Sequence, residues 1–414
     1  MNEKKKKWDL AAISSIPLIM TLANSMLIPV LPLMQKKLKI SSVQSSLIIT
    51  VYAAVSILFI PFAGYLSDRY GRKPVIVTGL SIAAAGGLIS GLAAMLMDNH
   101  AYGVILAGRL IQGIGAAGAF PIVLPLVGDM FDNEEAVSSG LGMIETSNTL
   151  GKVVSPVFGS VLAIVVWYLP LAVIPVISAI SIAAVIFLVK VPTKEKTKVK
   201  FKEFLTSIKS ILSEKGHWLY AIFAIGGNIM FIMFGFLYYL SSVLEDHYHI
   251  EGIKKGALLA IPLCAICLAA FITGKLVGEN KSKMKWFTAA GLSLLAASML
   301  TCGIMDTKGL VLLNTFMFIG GTGIGLALPS LDALITEGID KKQRGTITSI
   351  YSSARFIGVA CGPLVASLLL NKDAWLFYLF TAIACACLLI ALFFIKPAKK
   401  KMHKPIRAFK VTDK

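Results

Sequence analysis

The residues best placed to do chemistry are an acid and a base within one otherwise apolar run. Glu145 and Lys152 stand seven positions apart in the segment ETSNTLGKVVSPVFGS. In an α-helix seven residues turn the chain by about 700°, so both side chains lie on one stripe, about 10 Å apart along the axis. Asn148 and Thr149 lie on the same face. The pattern predicts a site that handles protons and ions, with a structural polar network as the alternative.

Glu145 is the leading candidate for a proton carrier. Burial and the neighbouring ammonium act in opposite directions on the protonation of this carboxyl, and a group poised between them can load and release a proton. The sequence does not decide which effect wins. Asp332 and Arg109 are the other candidates for proton coupling.

Further polar groups inside apolar runs are candidates to line a substrate cavity, because such groups are costly within a membrane span. With Glu145 and Lys152, the cavity set comprises Asn24, Arg109, Gln112, Asn148, Asn228 and Arg355. For Arg109, a structural role with hydrogen bonds to carbonyls of a neighbouring helix is an equal alternative. Asp129 and Asp332 both fall near the ends of their runs, where they can balance loop arginines.

Twelve apolar runs must position these residues. Each is about 20 residues or longer, which is enough to cross a bilayer as a helix. Hydrophobic residues make up 56% of the 414 and charged residues only 15%, whereas a soluble domain carries about 25% charged residues. The sequence predicts an all-α polytopic membrane protein, with spans 1 to 12 at about 10–33, 43–66, 74–97, 102–129, 138–166, 168–190, 217–243, 254–277, 285–305, 309–335, 346–370 and 373–395.

Several functional classes are disfavoured by what the sequence lacks. It contains no G-x-x-x-x-G-K-[ST] segment for nucleotide phosphates, and neither H-E-x-x-H nor G-x-S-x-G for hydrolysis. We therefore expect no enzyme, no cofactor and no metal; small apolar packing is the favoured role of Cys264-x-x-Cys267 over a redox or zinc pair. The net charge of +18 lies in loops and tails, which indicates lipid headgroups rather than nucleic acid as the partner.

The connection between spans 2 and 3 has the most distinctive spacing of charges and glycines. In the segment GYLSDRYGRK the relevant positions are Gly64, Leu66, Asp68, Arg69, Gly71, Arg72 and Lys73. This segment resembles the signature loop G-x-L-x-D-R-x-G-R-K of the major facilitator superfamily. An ordinary basic loop would explain the cations but neither the acid nor the glycine spacing. The resemblance implies a conformational switch, in which Asp68 meets the N-terminal end of helix 11.

Two further segments resemble motifs of the same superfamily. Span 4 matches R-x-x-Q-G through Arg109, Gln112 and Gly113, which implies a role in proton coupling or in shaping the cavity. Span 5 resembles the antiporter motif G-x-x-x-G-P-x-x-G-G through Gly151, Pro156 and Gly159, with Ser155 and Ser160 in place of glycines. Gly151, Ser155 and Gly159 recur every fourth residue, which predicts a smooth stripe for close helix packing.

The chain also resembles itself at long range. Four pairs (Gly113/Gly320, Gly118/Gly325, Gly151/Gly358 and Pro156/Pro363) are each separated by 207 positions, and the same offset relates Arg355 to Asn148. With the resemblance, this predicts the major facilitator fold, with 12 transmembrane helices in two six-helix halves related by a repeat. The predicted units are an N-terminal half at 1–190, a cytoplasmic linker with an amphipathic helix at 191–216, a C-terminal half at 217–396 and a basic tail at 397–414.

The distribution of lysine and arginine gives the orientation. Basic residues concentrate in the connections that share a side with both termini, so we expect cytoplasmic termini in the plasma membrane. Lys36, Lys37 and Lys39, on the opposite side, run against this rule.

The resemblance to the twelve-helix drug:proton antiporter group implies a proton-coupled exporter of small amphipathic molecules, such as drugs or a siderophore, that works by alternating access as a monomer. A proton-coupled uptake permease is the alternative. If Arg109, Lys152 and Arg355 all face the cavity, we expect a preference for anionic, phenolate or catecholate compounds.

Overall fold

The computed structural model describes residues 3–97, 100–130, 134–190, 206, 216–277, 280–305, 309–339 and 341–395. In these ranges every regular element is helical. The predicted amphipathic helix of the linker and the basic tail fall almost entirely outside the described residues. The long helices are α1 Glu3–Ser25, α2 Ser42–Tyr70, α3 Arg72–Leu96, α4 Ala101–Met130, α5 Glu134–Val165, α6 Ile174–Leu188, α7 His217–Asp246, α8 Gly252–Val277, α9 Lys281–Ile304, α10 Leu310–Gly338, α11 Lys341–Leu368 and α12 Asp373–Phe394.

Prolines divide two of the predicted spans into segments. Span 1 continues beyond α1 as a 3₁₀ turn, Ile28–Val30, and a short helix, Leu31–Leu38. Span 6 begins with the short helix Leu169–Ala172 before α6. Each of these short segments, like α6 itself, carries a proline in its first two positions, where the missing N–H group leaves no helical hydrogen bond unmade.

The helices have the composition of membrane spans. Within the described ranges, eleven segments are long and apolar enough to cross a bilayer, and α11 does not reach that apolarity. Its sequence explains this, because it carries Lys341, Lys342, Arg344 and Arg355 together with several hydroxyl side chains. It nevertheless packs along both α2 and α7, inside the bundle. Interior packing therefore takes the place of the apolar surface that a lipid-facing helix needs.

The packing of the helices repeats after six. α1 packs on α5 as α7 packs on α11, and α3 packs on α4 as α9 packs on α10. α2 packs on α4 as α8 packs on α10, and α3 packs on α6 as α9 packs on α12. The two sets of six meet mainly through α2 with α11 and α5 with α8. This arrangement is the predicted twelve-helix fold with two halves related by a repeat.

The register of the repeat differs between helices. The predicted offset of 207 holds for α5 and α11, since Gly151 faces α1 and Gly358 faces α7. It is one residue short for α4 and α10. Gly113 approaches the carbonyl of Tyr52, and the residue that approaches the carbonyl of Pro262 in the same way is Gly321 rather than Gly320. The pairing of Gly113 with Gly320 was therefore wrong by one position.

Candidate substrate and proton site

A cavity with about 620 Å³ of empty volume lies between the two halves. Its wall comes from α1, α2, α4, α5, α7 and α11, and it combines aromatic or apolar surface with a few polar groups. The lining residues are Met20, Thr21, Asn24, Ser25, Tyr52, Phe120, Asn148, Lys152, Met230, Phe234, Ser352, Arg355, Phe356 and Val359.

The predicted stripe on α5 faces this cavity. The hydroxyl of Thr21 donates to Oδ1 of Asn148 at 2.7 Å, and Nδ2 of Asn148 donates to the carboxylate of Glu145 at 3.2 Å. Lys152 lines the cavity one turn further along the helix. Its ammonium makes no hydrogen bond or ion pair with any described residue, so the cavity presents a cation that is free to bind a ligand.

A second polar group enters the cavity region from the other half. Nη1 of Arg355 lies 3.5 Å from Oδ1 of Asp332, and its guanidinium carbon lies 5.5 Å from the centroid of the Tyr351 ring. Glu145, Lys152, Asp332 and Arg355 lie close enough to interact electrostatically. Two carboxylates and two cations thus form one cluster, with Lys152 and Arg355 on the cavity wall.

The expectation that Asp332 is peripheral, as Asp129 is, differs from the structure. Asp129 pairs with Arg72 of the loop between α2 and α3 at 3.3 Å, as expected for an interfacial residue. Asp332 instead pairs with Arg355, which lines the cavity. With the 208-residue offset of α4 and α10, Asp332 corresponds to Leu124, which lies five residues before Asp129 and therefore more than one helical turn from it.

Arg109 and Gln112 lie behind the cavity wall rather than in it. Arg109 is fully buried, and its side chain donates to the carbonyl of Ile48 at 2.9 Å and to Oε1 of Gln112 at 2.5 Å. It also donates to Oδ1 of Asn24 at 2.6 Å. Its guanidinium carbon lies 4.5 Å from the centroid of the Tyr52 ring. This geometry agrees with the structural alternative for Arg109. Arg109 nevertheless contacts two residues that line the cavity, Asn24 and Tyr52.

Asn228 does not belong to the cavity wall either. Its side chain lies against Cys387 of α12, on the other side of α7. The prediction rested on the position of Asn228 midway along its span, which fixes depth but leaves the direction of the side chain open.

The glycine stripe of α5 positions the polar stripe beside it. A Cβ atom on Gly151 would lie 3.2 Å from Cβ of Thr21, and one on Gly159 would collide with the carbonyl oxygen of Met26. Ser155 is buried and donates its hydroxyl to the carbonyl of Gly151. The close approach of α5 to α1 brings Asn148 within reach of Thr21, as the packing stripe predicted.

Ion pairs and a hydrogen bond join the two halves at the end of the bundle opposite the chain termini. Nζ of Lys36, beyond α1, lies 3.0 Å from Oε1 of Glu245 at the end of α7, and Nζ of Lys255 in α8 lies 2.7 Å from Oε2. Glu245 and Lys255 are buried, with 3% and 2% of their side chains exposed. Nearby, the hydroxyl of Ser241 donates to the carbonyl of Ile28 at 2.8 Å.

Lys36, Glu245 and Lys255 were not predicted as a site, although the sequence carried two signals. Lys36 broke the charge rule for its side of the membrane, and Lys255 immediately precedes Gly256, which begins an apolar run. The structure accounts for Lys36 through its pairing with the acidic end of α7.

The loop between α2 and α3 ties several helix ends together. Gly71 has φ +101°, a conformation that favours glycine, and it separates α2 from α3 in a single residue. Nη1 of Arg72 lies 2.6 Å from Oδ1 of Asp68. Lys73 donates to the carbonyls of Ile186 and Val189 at the end of α6, at 2.9 and 2.7 Å. Arg69 is directed outward and donates to the hydroxyl of Tyr65 at 3.1 Å.

A cavity between two related halves of a membrane-type helix bundle, with ionisable groups on its wall, is the arrangement of a small-molecule transporter. Residues 13–363 match the Major Facilitator Superfamily, and a second match covers 285–412. The chain belongs to this superfamily.

Relatives and a solved structure agree with this assignment. The chain is 49% identical to the bacillibactin exporter of Bacillus subtilis (strain 168), over 95% of this chain and 97% of that protein. It is 24% identical to the tetracycline resistance protein, class C, of Escherichia coli, over 84% and 86% of the two chains. The crystal structure of the human organic anion transporter MFSD10 (TETRAN) superposes with a TM-score of 0.73 at 18% identity, covering 94% of this chain and 99% of that one. The last comparison concerns the fold alone.

Proposed function

We propose that this protein is a proton-coupled exporter of the plasma membrane, with cytoplasmic termini, that moves a siderophore or a drug outward by alternating access. The identity to an exporter over nearly the whole chain supports the direction. Bacillibactin, or a molecule that resembles it, is the first substrate to test. We assign the end joined by Lys36, Glu245 and Lys255 to the extracellular side.

The observation that carries the proposal is the free ammonium of Lys152 in an aromatic cavity. An unpaired cation beside Tyr52, Phe234 and Phe356 favours an aromatic ligand that carries negative charge or strong acceptor oxygens. Arg355 adds a second cation but shares its charge with Asp332. The anion preference expected from three cations therefore rests mainly on one.

Proton coupling is assigned to Glu145, with Asp332 as the second candidate. When Glu145 is ionised, both of its oxygens can accept from Asn148; when it is protonated, one oxygen becomes a donor and the amide keeps only the other as its acceptor. The proton on Glu145 is thus linked to Thr21 and the cavity wall through a single side chain. Export requires that the loaded carrier crosses without this proton and the empty carrier returns with it.

The test is the relative direction of proton and substrate in proteoliposomes. An exporter of this kind moves the two in opposite directions, so entry of an anionic aromatic substrate must be accompanied by exit of protons. The result does not depend on the orientation of the inserted protein. Substrate movement with no proton movement would refute the coupling, and transport of no aromatic anion or drug would refute the function.

A proton-coupled uptake permease remains a second candidate, and one observation favours it. An anion at Lys152 and a proton on Glu145 stabilise each other electrostatically, because the proton removes a nearby negative charge. Cooperative binding of this kind suits movement of both in one direction. Proton entry together with substrate entry in the same experiment would select this alternative.

A further inference from the structure

The amide of Asn24 has only one orientation available to it. Its Oδ1 atom receives a hydrogen bond from Nη2 of Arg109 at 2.6 Å. A guanidinium can only donate hydrogen bonds, so the oxygen of the amide must face Arg109 and the nitrogen must face away. Arg109 is in turn fixed by the carbonyl of Ile48 and by Gln112. The asparagine is therefore held by a fully buried cation that cannot turn.

The amide nitrogen of Asn24 remains available to a ligand. Asn24 lines the cavity, and its Nδ2 atom makes no hydrogen bond to any described residue. Since Nδ2 has no partner among the described residues and is nevertheless not fully buried, it is accessible from the cavity. The ammonium of Lys152 is the second free donor on this wall.

The neighbouring amide provides a contrast. Asn148 lines the same cavity, but its oxygen accepts from Thr21 and its nitrogen donates to Glu145. Both ends of this amide are occupied while Glu145 is ionised. The two asparagines therefore differ in what they offer a ligand, although both were predicted for the cavity.

We propose that Arg109 is a positioning residue that locks Asn24 as a hydrogen-bond donor, so that the wall formed by α1 and α5 selects ligands with acceptor oxygens. The inference rests on the proposed function, because it concerns the substrate site of the exporter, and it names the substrate class as aromatic molecules with carbonyl, carboxylate or phenolate oxygens. A ligand whose polar groups are only donors would meet the two donors of this wall, Asn24 Nδ2 and Lys152 Nζ. The donors of the ligand and of the wall would then both stay without acceptors, which disfavours binding.

A matched pair of neutral probes separates hydrogen bonding from charge. 2-Acetylnaphthalene carries one acceptor oxygen, and 2-isopropenylnaphthalene has the same shape without it. Equilibrium binding of both to the full chain in lipid nanodiscs gives a ratio of affinities. We expect the wild-type protein to favour the ketone by about tenfold, as for one hydrogen bond in a desolvated site. A ratio near one in the wild type would overturn the proposal.

Variants assign the ratio to the locked amide. Asn24→Leu removes the donor at similar volume and should bring the ratio close to one, whereas Asn228→Leu, which makes the same change off the cavity wall, is the control and should leave it unchanged. Arg109→Met frees the amide to turn, so the ratio of affinities should fall. The double variant Arg109→Met/Asn24→Leu should show the same ratio as Asn24→Leu alone. A purely structural role for Arg109 would weaken both probes equally and keep the ratio.

A further variant covers the case in which Arg109→Met does not fold. Asn24→Asp keeps a partner for Arg109 but presents an acceptor to the cavity, so the ketone should lose its advantage. An unchanged ratio in Asn24→Asp or Asn24→Leu would overturn the proposal. Because the assay measures binding without transport, a failure of proton coupling or export direction would leave these ratios as they are, and the two proposals fail separately.

Discussion

Replacing Lys152 by Met should reverse the charge preference of the cavity. The substitution keeps most of the side-chain volume and removes the one cavity cation that has no ionic or hydrogen-bonding partner in the described structure. Arg355 would remain as the cation of the cluster against the two carboxylates of Glu145 and Asp332. When both acids are ionised, the cluster then changes from neutral to a net negative charge.

The magnitude follows from the distance at which a ligand can approach. An anion 4 Å from the ammonium gains about 4 kcal/mol at an effective dielectric of 20. Water in the cavity screens part of this energy, and a charge-assisted hydrogen bond contributes about 1.5–3 kcal/mol in practice. A loss of about 2 kcal/mol corresponds to a roughly 30-fold weaker binding of anions. Cations gain from the same change, so the ratio of the two affinities should shift by about 100-fold or more.

The assay is competition between matched aromatic anions and cations, such as 2-naphthoate and 2-naphthamidine, for binding to protein in nanodiscs. Lys152→Arg keeps the charge and should preserve the preference. Lys275→Met makes the same change at an exposed position of α8 and should have no effect. The reasoning is refuted if the wild type prefers cations or if Lys152→Met leaves the preference unchanged.

Three further predictions concern coupling and conformational change. Glu145→Gln should abolish proton movement on substrate addition to vesicles while substrate binding stays within a few-fold; proton movement at the wild-type stoichiometry would transfer the role to Asp332. Asp68→Asn should strongly reduce the transport rate without lowering the amount of protein in the membrane, because it weakens the 2.6 Å ion pair with Arg72. A normal transport rate in this variant would contradict the prediction. Glu245→Gln leaves the buried Lys255 without its carboxylate at a cost of about 3–5 kcal/mol. A cysteine at Thr50 of α2, whose hydroxyl donates to the carbonyl of Ala360 in α11, should then react faster with an impermeant thiol reagent from outside. Lys36→Gln, at the half-exposed partner, should have a smaller effect, and equal or absent effects would exclude a closing role for this cluster.

The features that could be predicted from the sequence are those with a local cause. Helix positions follow from runs of apolar residues, and the alignment of Glu145, Asn148 and Lys152 follows from the helical repeat alone. The close packing of α5 on α1 follows from small residues at every fourth position, since only they let two backbones approach. These predictions needed no knowledge of which helices are neighbours.

The features that were missed depend on contacts between distant parts of the chain. Arg109 and Asn24 are 85 positions apart, so the sequence could not show that one turns the amide of the other. Asn228 was predicted for the cavity, but its side chain lies against Cys387 of α12. The repeat was displaced by one residue in α4 and α10, and Asp332 was grouped with Asp129 although the two stand five positions apart in that repeat, so its pairing with Arg355 was not foreseen.

The charge of the substrate determines which force can drive its export. If one proton enters for each anion that leaves, two positive charges move inward per cycle. Each charge gains about 2.3 kcal/mol per 100 mV of membrane potential, so the exchange gains about 4.6 kcal/mol per 100 mV before any pH gradient is counted. An anion at Lys152 and a proton on Glu145 stabilise each other within the cavity, so the two do not compete for binding. The exchange of substrate for proton must therefore come from a restriction on which loaded forms of the carrier can change conformation. Export that persists with a potential set by potassium and valinomycin at equal pH on both sides would support this account. Export that needs a pH gradient and ignores the potential would instead require an exchange without net charge movement, such as one proton for one singly charged cation.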